Sequence, residues 1–461
     1  MRAQSDSDHR DHRDHRDHRD HRDHRDHRDH RDHRDHRDHH PAPAGLLLCH
    51  DCDLLQRRAP CPQGGVLRCM RCGAELERDH ADSGTRSLAL AAAALLLFVI
   101  SNLYPIVGLA VNGNVVQATL WGSVEMLYRD GMWPISGLVF ITTMMMPATQ
   151  IVALLWLLVP LALGRKPWRA NIVFRVMGVA RSWGMTEVLI LGLLVALVKL
   201  AHIATVVTGT ALWSFGALMI VLAGAGASLD VAAVWHRIAP MPAPQDPQRS
   251  GAPLPGFTGA TCGIALCPCC ELLVRMPAHA GALACPRCAT ALHLRKPASL
   301  SRTWAFLLAS IVLYVPANVM PVMDTSSLFG TQKDTIMSGV AYLWVSGSWP
   351  LAVLVFIASI AVPMVKILGL AYLAWSAQRA SKWLPGERAR IYRMIELIGR
   401  WSMLDIYVVT MLVALVQFSA LAMIKAGPAA IAFGAVVVMT MFAANAFDPR
   451  LIWDPVEFDH A

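Results

Sequence analysis

The sequence is written twice, and that duplication constrains the fold more than any other feature. Cys49-His50-Asp51-Cys52-Asp53-Leu54-Leu55 returns 218 residues later as Cys267-Pro268-Cys269-Cys270-Glu271-Leu272-Leu273. Cys69-Met70-Arg71-Cys72 returns as Cys285-Pro286-Arg287-Cys288, at an offset of 216. The same offset carries Asn102-Leu103-Tyr104-Pro105 onto Asn318-Val319-Met320-Pro321, Gly131-Met132-Trp133-Pro134 onto Gly347-Ser348-Trp349-Pro350, and Pro147 onto Pro363. Further on, Leu194-Val195-Ala196-Leu197-Val198 matches Leu412-Val413-Ala414-Leu415-Val416 at 218. Each half is a cysteine module followed by a long apolar block.

Each block contains four windows long enough to cross a bilayer, which takes about 20 mostly apolar residues. They are 87–111, 133–164, 183–207 and 211–229 in the first half, and 303–323, 349–375, 401–423 and 428–447 in the second. No charge lies between Asp130 and Arg165, Pro134 suits a first helical turn, and Pro147 should kink the second span. A Thr208-Gly209-Thr210 turn separates the third span from the fourth. The chain is 55% apolar and 16% charged, and residues 1–40 alone hold 11 of the 41 basic and 12 of the 33 acidic groups. The rest is about half as charged as a soluble protein, which excludes an ordinary soluble enzyme.

Basic residues orient the blocks. The loops after spans two and six carry Arg165, Lys166, Arg169, Arg175 and Arg181, and Arg379, Lys382, Arg388, Arg390, Arg393 and Arg400. The loops on the other side carry only Arg129, Lys333 and Lys425. Positive charge stays inside, so both cysteine modules and both termini are expected in the cytoplasm. The net charge of +8 is therefore a membrane signature, and no nucleic-acid partner is expected. The fold class is an α-helical polytopic membrane protein, a tandem duplication of a cytoplasmic ribbon and four transmembrane helices. Its expected parts are a tail (1–44), ribbon one (45–82), block one (87–235), a linker (236–261), ribbon two (262–297), block two (302–447) and a C-terminal tail (448–461). Asp8 to Arg37 is ten unbroken Asp-His-Arg triplets, with nothing to bury, and is expected to be disordered.

Cys-x2-Cys, sixteen residues, Cys-x2-Cys in the first half, and fourteen residues in the second, is the spacing of a zinc ribbon. Two tight turns each present two thiolates to one ion. Cys49, Cys52, Cys69 and Cys72 form one set, and Cys267, Cys270, Cys285 and Cys288 the other, for two zinc ions, with iron as the alternative. Four thiolates leave no open position, so the expected role is structural, redox sensing being the competing one. Cys61, Cys262 and Cys269 remain as free thiols, Cys269 lying close enough to its neighbours to compete as a ligand, and His50 and His293 are read as bystanders.

Ionisable residues inside a span mark function by default. Span three holds Glu187 and Lys199, twelve positions or about 18 Å apart along a helix and too far to pair. In the second half Asp405 takes the place of Glu187 and Gln417 that of Lys199, while the counterpart of Lys366 in span six is Gln150 in span two. Each half thus has one lysine and one glutamine with places exchanged, which points to a shared polar interior. For Glu187 and Asp405, near the span ends, snorkelling to water is the competing account.

Tandem CxxCxLL with a second CxxC, Asn-x-x-Pro in span one, Gly-x-Trp-Pro opening span two, Arg-Trp-Ser-Met-Leu-Asp (400–405) and Leu-Val-Ala-Leu-Val in span seven resemble the paraquat-inducible protein A family. The resemblance covers residues 46–450. It implies an inner-membrane protein of a Gram-negative bacterium that works with a periplasmic MCE-domain partner in moving phospholipid between the two membranes. Pro105 and Pro321 fall in its Asn-x-x-Pro motifs, Pro147 and Pro363 within the second span of each block. The competing functions are a free-standing proton-coupled transporter or exporter and a membrane-bound metal or redox sensor. No G-x-x-x-x-G-K-[ST] occurs and no catalytic constellation stands out, so no enzyme activity is expected.

Overall fold

The computed structural model describes residues 45–59, 64–78, 83–111, 114–184, 186–200, 205–240, 257–277, 283–327, 330–347, 349–399, 406–408, 410, 417–418 and 422–457. The Asp-His-Arg tail, Cys61, Asp405 and most of the seventh window lie outside them.

Most of the apolar windows fold as helices. The first half contains α1 (Ser83–Leu103), α2 (Leu120–Arg129), α3 (Trp133–Ala162), α4 (Ala170–Trp183), α5 (Thr186–Leu200), α6 (Thr210–Ser228) and α7 (Val231–Ile238). The second repeats α8 (Ser299–Val319), α9 (Ile336–Val345), α10 (the continuous run Trp349–Phe356, Ile357–Ala361, Val362–Gln378), α11 (Pro385–Gly399) and α12 (Pro428–Ala446). Among the described residues α1, α3, α6, α8, α10 and α12 are long and apolar enough to cross a membrane. The third window yields a shorter helix, α5, of 15 residues.

The first and fourth spans of each half pack together, α1 on α6 and α8 on α12. Small side chains make this close: Ser87, Ala91, Ala94 and Ser101 line the buried stripe of α1, and Ser87 Oγ meets Ser228 Oγ at 2.8 Å. Lipid tails offer helices no hydrophobic drive to associate, so packing of small residues and hydroxyl bonds replaces it. The second span of each half carries a π-turn, Ile141–Met145 in α3 and Ile357–Ala361 in α10, just before Pro147 and Pro363. A mid-helix proline lacks an N–H and crowds the preceding turn; a wider turn relieves both, and such turns gather at functional sites. Tyr407 donates to Thr142 in the first π-turn at 2.9 Å, joining the halves inside the apolar zone.

The spans are shorter than the apolar windows. The 87–111 window ends as helix at Leu103, and Val107–Val111 (β5) pairs with Asn114–Ala118 (β6) and Thr205–Thr208 (β7). In the second half Met323–Ser327 (β12), Gly330–Asp334 (β13), Gln417–Phe418 (β14) and Ala422–Ala426 (β15) form a four-stranded sheet. Pro105 and Pro321 stop the helices, and β-branched runs such as Thr205-Val206-Val207-Thr208 favour strand. Gly209 and Gly427 then turn the chain into α6 and α12, their N–H groups donating to Ile106 O (2.9 Å) and Val322 O (2.6 Å). A Cβ at either would sit 2.0 Å from Pro105 O or 2.3 Å from Pro321 O. Only glycine fits.

Candidate metal centres and membrane polar site

Each ribbon is two β-hairpins whose turns carry the cysteines: Leu46–Leu48 (β1) with Leu55–Arg57 (β2), Val66–Arg68 (β3) with Glu75–Arg78 (β4), Ile264–Leu266 (β8) with Leu273–Arg275 (β9), and Leu283–Ala284 (β10) with Ala291–Leu292 (β11). All four turns share one construction. The residue after the second cysteine is left-handed: Asp53 (φ 61°), Gly73 (72°), Glu271 (56°) and Ala289 (54°). Its N–H donates back to the first cysteine's carbonyl at 3.0, 2.9, 2.9 and 2.8 Å in that order. The first cysteine's own N–H reaches Leu54, Ala74, Leu272 or Thr290 O at 2.8–3.0 Å. These bonds aim both thiols of a turn the same way.

The eight expected ligands form the two sets read from their spacing, and within each set the sulfurs lie within 4.8 Å of one another. Cys49 and Cys72 Sγ are 3.5 Å apart, as are Cys52 and Cys69; Cys267–Cys288 and Cys270–Cys285 are 3.4 and 3.6 Å. A tetrahedron with metal–sulfur distances of ~2.3 Å places its sulfurs about 3.8 Å apart, so both sets fit a metal ion. Seven of the eight cysteines are buried. Cys269 is outside the second tetrad, its carbonyl accepting Trp235 Nε1 at 3.2 Å, and burial pushes its thiol up to about 11. Cys262 packs beside Leu48, Leu55 and Ile264.

The ribbons are held to each other and to the membrane blocks. Asp53 of ribbon one is buried, with Oδ2 accepting from Arg295 Nη1 (2.7 Å) of the second ribbon and from Ala260 N (2.9 Å) in the segment leading into it. Burial lifts its carboxyl above the usual range against the pull of Arg295. Arg295 also forks onto Asp454 at 2.6 and 3.2 Å. Arg393 of α11 donates to Cys72 O at 2.6 Å, and Arg175 of α4 to Cys288 O at 2.9 Å. Lys296 Nζ caps the end of α12 through Asn445 and Phe447 O, at 2.8 and 3.0 Å. Sequence reasoning counted these cations only as loop charge. The sequence signal that sets Arg175 and Arg393 apart from the other loop cations is their 218-residue offset.

Of the polar residues expected in the membrane, Lys366 is the most completely described. It is 1% exposed, on α10 one turn past the π-turn and Pro363. Its Nζ donates to Thr440 Oγ1 at 3.0 Å and to Gly399 O at 3.4 Å. It forms the inner wall of a cavity of about 450 Å³, whose lining includes Arg181, Arg393, Glu396 and Asn445. Gln150 is half-buried on α3, and a methyl group at Gly184 would lie 3.8 Å from its Oε1. Glu187 and Lys199 lie on α5, with side chains outside the described set; Asp405 and His202 are outside it altogether. Gln417 lies in β14, paired with Met423, rather than in a helix. An apolar cleft of about 70 Å³ lies toward the sheet end, between Leu127 and Ile135 of the first half and Val322, Ile336, Val355 and Phe433 of the second.

A profile of the Paraquat-inducible protein A family matches residues 85–239 and 300–457. The chain belongs to that family. The match falls once on each membrane block, as the duplication requires. The chain is 35% identical over 417 residues to Intermembrane transport protein PqiA of Escherichia coli K12, covering 90% of this chain and 97% of that one. It is 31% identical over 418 residues to Lipophilic envelope-spanning tunnel protein A of the same strain, covering 90% and 92%. Over 422 residues it is 28% identical to a Probable intermembrane transport protein of Haemophilus influenzae, covering 89% and 96%. No solved structure matches. Family membership and the apolar helices make this a multi-pass membrane protein of a bacterial envelope with an intermembrane transport role.

Proposed function

We propose that the chain is the inner-membrane subunit of an MCE-type lipid transport system, passing phospholipid between the membrane and a periplasmic MCE-domain partner, and that it is not an enzyme. The observation that carries this reading is Lys366. An ammonium group fully inside a spanning helix lowers stability by at least about 2.5–3.5 kcal/mol on insertion scales unless it is partnered or hydrated. Here it has Thr440 and Gly399 as partners and a cavity on its flank. A phosphate group suits such a niche. Lys199 and Gln150, with Glu187 and Asp405 nearer the cytoplasm, complete the polar set in this reading, from which the strand position of Gln417 removes it. The ribbons stay in the cytoplasm, each holding one zinc ion. Cys49, Cys52, Cys69 and Cys72, and Cys267, Cys270, Cys285 and Cys288, would be its ligands. The ion supplies folding energy there and leaves no position for substrate.

The test replaces Lys366 by Met, close in volume and uncharged, and Lys199 likewise. Transfer of labelled phospholipid from vesicles to the purified partner should fall at least tenfold for Lys366→Met, with yield and metal content unchanged. Full transfer by both single variants and by the double variant would refute the polar-niche reading.

A further inference from the structure

The ribbons are cross-connected to the membrane blocks. Arg393 belongs to the second half, yet its Nη2 donates to Cys72 O at 2.6 Å and its Nε lies 3.6 Å from Asp51 Oδ2, both in ribbon one. Arg175 belongs to the first half, yet it donates to Cys288 O (2.9 Å) and Thr290 Oγ1 (3.0 Å) in ribbon two. The arginines are pseudo-equivalent, and each carbonyl belongs to the last cysteine of its tetrad. The far ends of the two helices each lie beside one of the two exchanged polar positions, through residues that are not equivalent in the repeat. α11 runs from Arg393 to Gly399, whose carbonyl accepts Lys366 Nζ at 3.4 Å. A methyl group at Gly399 would meet Lys366 Cε at 3.4 Å. α4 runs on to Gly184, where a methyl group would lie 3.8 Å from Gln150 Oε1. Gln150 holds the Lys366 position in the first half.

We propose that each metal-loaded ribbon sets the position of the polar membrane residue in the opposite half, with Arg393 and Arg175 as positioning residues. A closed four-thiolate site orders its turns, so the Cys72 and Cys288 carbonyls stand in place only while their turns are closed. A helix is stiff over the six residues from Arg393 to Gly399, about 9 Å at 1.5 Å per residue. Release at the arginine therefore moves the carbonyl that meets Lys366. Opening ribbon one acts on the Lys366 site, and opening ribbon two acts on the Gln150 site. Only the consequence for transport rests on the proposed role of Lys366; the crossed coupling stands on the contacts themselves.

Hydrogen exchange with mass spectrometry on the full chain in phospholipid nanodiscs tests this. Cys52→Ser should speed exchange across 385–399 by about tenfold while 170–183 keeps its protection, and Cys270→Ser should do the reverse, since local opening is read segment by segment. A cysteine variant can unfold its ribbon widely, so Arg393→Gln and Arg175→Gln form a second pair. Both should retain two zinc ions per chain and show the same crossed pattern, and Arg393→Lys should recover part of the protection at 385–399. A same-half pattern, an equal response of both helices to either variant, or no response would overturn the proposal. Transfer by Lys366→Met is a separate measurement, so failure of the transport reading and failure of the coupling are told apart.

Discussion

Gly209 and Gly427 offer one experiment performed twice in the same molecule. Each turns the chain from a β-strand into a spanning helix against the carbonyl of a proline, Pro105 or Pro321. In Gly209→Ala the new methyl group would begin 2.0 Å from Pro105 O and 2.9 Å from Ile106 C, all backbone atoms; in Gly427→Ala the first distance is 2.3 Å. Contacts that short do not persist, so strand and helix must separate by more than about 1 Å. Overpacking of this kind lowers stability by about 1–3 kcal/mol. The separation also weakens two backbone hydrogen bonds, Gly209 N to Ile106 O and Ala211 N to Pro105 O, each contributing about 1 kcal/mol. A loss of roughly 3–5 kcal/mol follows, which lowers a thermal midpoint by about 4–6 °C for a structure of this size, at about 2.1 cal/mol/K of unfolding entropy per residue. Gly226→Ala is the control: it lies in the same helix as the Gly209 turn with nothing within 4 Å of its Cβ, and should be neutral or stabilising by up to about 1 kcal/mol. The assay is thermal unfolding of detergent-solubilised protein followed by tryptophan fluorescence. A Gly209→Ala variant as stable as Gly226→Ala would refute the close-approach argument.

Metal analysis should find two zinc ions per chain, one for each four-thiolate site; folded protein without metal would contradict the tetrad assignment. Asp448 gives a pH prediction. Burial opposes its charge, but the fork from Arg450 (2.9 Å on both oxygens) and the Lys296 N–H hold its carboxyl below the usual 3.8. Its contribution is therefore complete above pH 3.8 and disappears as pH falls through the lowered folded value. Wild-type stability should drop below about pH 4 more steeply than that of Asp448→Asn, and equal slopes would dismiss the ion pair. For orientation, cysteines introduced at Arg169 and Arg390 should be protected from an impermeant thiol reagent in intact cells, while those at Asn114 and Lys333 should react. Reaction at the first pair would invert the topology and remove the reducing compartment the ribbons need.

What was legible in the sequence is what local chemistry determines. The eight ligands needed only their spacing, because each pair is held by a turn five or six residues long. The spanning helices needed only the length of their apolar windows. The sheets were not legible, since Val107–Val111 and Thr205–Thr208 extend apolar windows without a break, and apolar strand and apolar helix look alike at that length. The matched Pro105/Gly209 and Pro321/Gly427 pairs were the available clue. Arg175 and Arg393 were lost in a count of basic residues because their partners lie 113 and 321 positions away, and no local pattern reports such a contact. Lys366 stood out from its cost alone, but its partners Thr440 and Gly399 are equally remote.

The crossing of ribbons and blocks bears on how such a chain arose. A single repeat could not dock its ribbon on its own amphipathic helix in this geometry, because in both instances the arginine that receives the ribbon belongs to the other repeat. The crossing matches what a two-fold pair of identical half-length chains would show if each lent its metal module to its companion, an exchange of equivalent elements between protomers. Fusion of the two genes would preserve that embrace while releasing the copies from identity. Once there were two copies, one could keep lysine at position 366 while the other settled on glutamine at 150, turning a symmetric pair into a molecule with two different sides.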